Sequence, residues 1–225
     1  MLLATLLQIA ASYVPAGNTF ANDDPELVRR YVTAVQGQSA ARASLAVEVT
    51  IEARLVKLHR QATLRTLRRV SPTGEITYET LDAGGDRVVR REVIARYLST
   101  ESQGRETEWT TITPAHYRFR FAGAVEQAGR RIYIFQLTPK RKQVGLFKGE
   151  LWVDGHTGLP VHESGQFVKS PSVFIKKIVF ARDYESRNGL NLPARIHSTV
   201  ESRIAGSAEL DIRFSSPSQP HAGGL

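Results

Sequence analysis

The run LNLPARIHSTVESRIAGSAELDIRF, residues 190–214, decides the fold. Leu190, Leu192, Ala194, Ile196, Ser198, Val200, Ser202 and Ile204 share one parity; Asn191, Pro193, Arg195, His197, Thr199, Glu201 and Arg203 share the other. After Ala205-Gly206-Ser207 the alternation resumes, with Ala208, Leu210, Ile212 and Phe214 set against Glu209, Asp211 and Arg213. Successive side chains of a strand point to opposite faces, so the pattern predicts an antiparallel hairpin with one buried and one wet face. Asn188-Gly189, just ahead of it, is a tight-turn signal.

The same reading extends outward. Residues 173–184 read as a strand, and 149–153 and 159–168 read as two more around the turn Asp154-Gly155-His156-Thr157-Gly158. Ile132, Tyr133, Ile134, Phe135 and Leu137 are apolar on both parities, as in a strand covered on both sides. Tyr117, Phe119 and Phe121 alternate with Arg118 and Arg120, and residues 123–131 are expected to connect these two strands. Further upstream, Leu45, Val47, Val49 and Ile51 mark a strand, and 62–70 with 75–82 a hairpin around Ser71-Pro72-Thr73-Gly74. Asp23/Asp24 and Pro25 open a first helix that Gly37 is expected to end. Gly84-Gly85 closes a strand, and Asp86 caps a second helix with Val89, Val93, Ile94, Tyr97 and Leu98 as its apolar stripe. The interval 103–113 is polar and pinned by Trp109 and Ile112. This order predicts a mainly β, α+β chain: one curled antiparallel sheet with two helices on its concave side.

Among 225 residues there is no cysteine, which excludes disulfides, thiolate zinc sites, iron–sulfur clusters and cysteine nucleophiles. The net charge of +8 favours anionic partners, including lipid headgroups at a membrane surface. Residues 1–21 carry no charge, and Leu2 to Val14 is an apolar run broken by Pro15 and Gly17. At about thirteen residues the run is too short for a stable span but suits a signal-peptide core, with Ala21 at the cleavage position. No Lys or Arg precedes it. The expected organisation is a signal peptide over 1–21, one domain over 22–214 and a disordered tail over 215–225, in a periplasmic or otherwise exported protein.

LTPKRK (137–142), FKGELWVD (147–154) and TGLP (157–160) together resemble the central hairpin of outer-membrane lipoprotein-sorting, or LolA-like, proteins. The signal-like N-terminus, early helix and meander agree with that family's plan over roughly residues 25–214. The resemblance implies a half-open antiparallel β-barrel plugged by helices, with an apolar cavity. Carrier members bind lipoprotein acyl chains, and related sensors bind periplasmic partners. Arg54, Arg65, Arg68 and Arg69 all compete for the carriers' functional arginine, and serve as candidate contacts to an anionic headgroup. An incomplete barrel leaves an apolar cleft, in which each buried CH₂ of an acyl chain gains about 0.8 kcal/mol. Tyr117, Phe119, Phe121, Phe135 and Trp152 are candidate lining residues; the plainer reading makes them core.

No chemistry-bearing motif competes. No two of His59, His116, His156, His162, His197 and His221 have metalloprotease spacing, Gly-x-Ser-x-Gly is absent, and Gly84-Gly85 lacks a Walker or dinucleotide pattern. Asp183 and Glu185 point to one side of a strand, as do Glu209 and Asp211, and the latter pair reads as solvated acids on the wet face. The basic run from Arg54 to Arg69 has no interleaved aromatics, which argues against nucleic acid. The expectation is therefore a non-enzymatic protein without metal or cofactor, binding a lipid or an acylated lipoprotein. The alternative is a periplasmic protein-interaction or envelope-stress module with a filled core.

Overall fold

A computed structural model describes residues 13–14, 25–42, 45–71, 75–103, 111–203 and 206–215. Most of the predicted signal segment, the Asp23/Asp24 cap, the tip of the 71–75 turn, Trp109 and the tail beyond Ser215 lie outside these residues. In chain order the elements are β1 (Tyr13–Val14), α1 (Pro25–Arg42), β2 (Ala46–Leu55), β3 (Arg60–Val70), β4 (Ile76–Gly85), α2 (87–103), β5 (Tyr117–Gln127), β6 (Arg130–Pro139), β7 (Phe147–Asp154), β8 (Pro160–Phe167), β9 (Ile175–Arg187), β10 (Leu190–Ser202) and β11 (Gly206–Ser215). Asp86 starts α2 as predicted: its carboxylate accepts from the N–H groups of Val88 and Val89. The helix carries a π turn at Arg90–Ile94.

All strands pair antiparallel in one sheet ordered β1-β5-β6-β7-β8-β9-β10-β11-β2-β3-β4. The two-residue β1 meets Ala124 and Val125 of β5. Among the described residues the ends of the sheet, β4 and β1–β5, do not pair with each other, so the curled sheet stays open. Gly149 and Gly165 face each other between β7 and β8. A Cβ on Gly149 would strike the Ser164 carbonyl, and one on Gly165 would lie 2.5 Å from the Lys148 carbonyl oxygen. The two backbones therefore approach more closely there than any larger residue allows.

Each helix covers its own half of the concave face. Val28 and Tyr31 of α1 pack with Tyr117, Phe119, Phe135, Leu151 and Phe180. Val89 and Ile94 of α2 pack with Val49, Ile51, Leu64, Leu210 and Ile212, joined by Val93, Tyr97 and Leu98 from the predicted stripe. The expected architecture, a curled antiparallel sheet with both helices on the concave side, is what forms.

Three expectations differ in detail. Gly37 does not end α1, which runs to Arg42. Tertiary contacts outweigh the helix cost of a glycine there: Gln38 donates to the Gly189 carbonyl and accepts from the Asn191 N–H. Residues 123–131 are not a long connection. A bulge at Ala122 lets β5 continue to Gln127, leaving Ala128-Gly129 as the turn. Finally, the face of β10 changes along its length. A bulge at Ala194 puts Ile196, Ser198 and Val200 opposite Ile212, Leu210 and Ala208, while Asn191 and Pro193, not Leu190 and Leu192, share that face.

Candidate functional site

The concave face is a continuous cross-strand row. From β3 to β5, Leu64, Ile51, Ile212, Ile196, Arg182, Glu163, Leu151, Phe135 and Phe121 lie opposite one another in turn. One ion pair interrupts this apolar row at its centre, between the cluster under α1 and the cluster under α2. The Tyr184 hydroxyl donates to Glu163 Oε1 at 2.7 Å. The Arg182 guanidinium donates to Glu163 Oε2 at 3.4 Å and to the Tyr184 oxygen at 3.2 Å. Glu163 is buried, but the Arg182 side chain remains 36% exposed. Its Nε is occluded and has no hydrogen-bond partner among the described residues. Beside Tyr184 and Glu163, the Arg182 guanidinium is held above the ordinary arginine range and stays charged. Burial, reinforced by Glu163, pushes Tyr184 up, so its hydroxyl remains a donor.

A second polar group sits where α2 crosses β3 and β4. Arg68 Nε donates to Glu101 Oε1 at 3.1 Å, and the Tyr78 hydroxyl donates to the other Glu101 oxygen. Burial opposes the charge on Arg68, but Glu101 and Tyr78 outweigh it and hold its pKa above the ordinary range. Burial and then Glu101 push Tyr78 far up. Tyr97 of α2 is coupled to both groups: burial first, and then Glu101, hold it well above the ordinary tyrosine value, and Arg182 opposes them. On the concave face Ile178, Ile196 and Val200 are partly exposed, with Ile196 and Val200 packed against the cluster under α2 and Arg182 beside them in the row.

The candidate lining residues divide between the two faces. Tyr117, Phe119 and Phe135 are buried together under α1, with Phe121 packed against them. Phe135 meets Phe119 edge-on at 6.1 Å and Phe121 at 6.0 Å, and Tyr31 of α1 lies 6.3 Å from Phe119. Tyr117, pushed up to about 12 by burial, accepts from the Phe147 N–H. Trp152 lies on the opposite, convex face with Ile132 and Ile134; its indole N–H donates to Glu150 at 3.0 Å.

The candidate arginines divide as well. Arg68 alone faces inward. Arg65 donates two bonds to one oxygen of the buried Glu48, Arg69 pairs with Glu79, and Arg54 is exposed. The sequence reading missed Arg182, Glu163 and Tyr184. The available signal was parity: Arg182 stands in step with the apolar Ile178 and Phe180, two residues either side of which a wet-face arginine would be out of register. Asp183, which the sequence reading did single out, faces outward and meets His162 Nδ1 at 2.7 Å.

Two shallow depressions mark the outer surface. One of about 520 Å³ is lined by Arg87, Val88, Arg90, Arg91 and Ala95, the other of about 470 Å³ by α1 and the β7–β8 turn. Among the described residues no group of His, Asp or Glu is arranged to hold a metal ion, and no helix is long and apolar enough to cross a membrane.

No family model matches the chain, and no curated protein matches it. Solved structures do. A DUF1329 family protein from Desulfovibrio piger is 14% identical, with 85% of this chain and 90% of that chain covered and a TM-score of 0.44. An outer membrane lipoprotein-sorting protein domain from Vibrio parahaemolyticus is 11% identical, with 86% and 95% covered and a TM-score of 0.40. A LolA superfamily protein from Nitrosomonas europaea is 13% identical, with 86% and 94% covered and a TM-score of 0.37. These values record a similarity and assign no ligand.

Proposed function

We propose that this chain is an exported, non-enzymatic carrier that holds the acyl chain of a lipid or of a lipoprotein in the concave groove between α1 and α2. The supporting observation is Arg182. It stands at the centre of an apolar cross-strand row and is still 36% exposed. An aliphatic floor with one fixed cation suits an amphiphile with an anionic or carbonyl head, and each buried CH₂ contributes about 0.8 kcal/mol. The periplasm is the compartment in which such a carrier would work, in keeping with the signal-like N-terminus.

The test is native mass spectrometry of the protein purified without detergent, together with titration of a fluorescent fatty acid into delipidated protein. Saturable uptake at one site, weakened by Ile196→Asp, supports the carrier. An empty protein with no saturable uptake overturns it. The close packing of Tyr117, Phe119 and Phe135 under α1 favours a second reading, an envelope protein-interaction module. In that reading the same titration shows nothing, and a partner chain binds the sheet.

A further inference from the structure

Hairpin turns alternate between the two ends of the sheet, and the ends have different chemistry. At one end five segments gather: the β2–β3 turn, the start of α2, the β6–β7 loop, the β8–β9 loop and the β10–β11 turn. They touch in sequence. The Lys57 side chain lies against Gly206, the Arg203 N–H donates to the Phe174 carbonyl at 2.9 Å, and the Val168 N–H donates to the Leu146 carbonyl at 2.9 Å.

Six of the eight large hydrophobic residues exposed on the described surface lie in this rim: Val56, Leu58, Val88, Val144, Val173 and Phe174. Val173 is 79% exposed and Phe174 54%. The segments 56–60, 86–92, 140–148, 168–177 and Arg203 hold thirteen Lys and Arg against two carboxylates, Asp86 and Glu92. That excess is larger than the whole chain's +8, so the rest of the molecule is net acidic. Both carboxylates are occupied, Asp86 by its cap and Arg60, Glu92 by Arg91 and Arg96. No ion pair to Lys57, Lys142, Lys148, Lys169, Lys176 or Lys177 occurs among the described residues. The three-arginine depression at Arg87, Arg90 and Arg91 opens on this rim. The opposite end is mixed, with Glu126, Asp154 and Glu185 beside Arg130, Arg131 and Arg187.

We propose that this rim docks the protein on an anionic lipid bilayer, with the apolar tips Val173, Phe174, Val56 and Leu58 entering the headgroup layer and the surrounding cations meeting the phosphates. Apolar tips on a protein surface are left exposed at a cost that an interface offsets, and an acidic leaflet attracts a one-sided basic face. An acidic protein would complement the charge, but it gives no reason for exposed apolar pairs on two separate connections, Val56 with Leu58 and Val173 with Phe174, at the same end of the sheet. The inference is independent of the groove: vesicle binding without acyl uptake keeps the rim and overturns only the carrier.

The experiment is co-sedimentation of the full chain with phosphatidylcholine vesicles, with and without added phosphatidylglycerol, over a salt series. The expected result is binding that requires phosphatidylglycerol and falls as salt rises. Val173→Ser/Phe174→Ser should weaken it about tenfold or more, the loss of two inserted apolar side chains. Lys176→Glu/Lys177→Glu should weaken it further, and Arg29→Gln/Arg131→Gln at the opposite end should leave it unchanged. Circular dichroism and the unfolding midpoint establish that each variant is folded. No binding to acidic vesicles at low salt overturns the proposal, as does binding that both rim variants leave intact. Capture of an acidic protein without vesicle binding also overturns it.

Discussion

The two faces of this sheet use the same pairing of arginine with carboxylate to opposite ends. On the convex face Arg195 pairs with Asp211, and Arg213 bridges Asp211 and Glu52, in a ladder crossing three strands. Both arginines are about half exposed, although the shared Asp211 is only 16% exposed, and pairs with half-exposed cations contribute little. On the concave face Arg182 and Glu163, joined by Tyr184, interrupt the middle of an otherwise apolar cross-strand row. There the pair cannot be exchanged for water without exposing an uncompensated charge. The lesson is positional: the outer ladder decorates the sheet, and the inner pair defines the middle of its groove.

Substitutions can break that comparison. The largest effect is expected from Phe135→Ala, which empties the aromatic cluster under α1 and should cost about 3–5 kcal/mol, read from urea unfolding. Trp152→Ala, half-buried on the convex face, should cost clearly less; equal losses would remove the distinction between the faces. Next comes Glu163→Ala. Orphaning Arg182 should cost about 2–3 kcal/mol, less than for a fully buried pair because Arg182 keeps partial contact with water.

Asp154 gives a pH-dependent case. Burial pushes its carboxyl up, but the N–H groups of Thr157 and His156, with Arg130, outweigh this and hold it below the ordinary aspartate value of 3.8. The unfolded chain therefore binds the proton more readily. The contribution is complete above the ordinary value and is lost as pH falls through the lowered one. Asp154→Ala should cost about 1–2 kcal/mol at neutral pH, and the gap from wild type should shrink in acid. The smallest effect belongs to the outer ladder: Arg195→Ala should change stability by about 0–1 kcal/mol and lose even that at high salt.

Much of the architecture is legible along the chain, because alternation at Ala208–Phe214 and the stripe from Val89 to Leu98 report one-sided burial directly. The Asp86 cap is legible for the same reason: its partners are two and three residues away. What stayed hidden is long-range. Nothing local distinguishes Trp152 from Leu151, although the sheet sends one outward and the other inward. A single bulge at Ala194 reverses the assignment of Leu192, and no residue there announces it beyond Pro193. Arg182 and Glu163 become a pair only through the β8–β9 register, and the basic rim emerges only when alternate turns are brought to one end.

The anchoring of α1 carries a further consequence. Arg30 donates to the carbonyls of Gly155 and His156, at 2.9 and 3.1 Å, and Gln38 clasps Gly189 and Asn191. The helix is thus strapped across two neighbouring turns by bonds at its rim, while its oily side rests on rings it does not interleave with by strand pairing. Detaching the rod therefore means breaking those few bonds and also exposing the buried Val28 and Tyr31, so the edge clasps set its position and the apolar contact sets the cost of moving it.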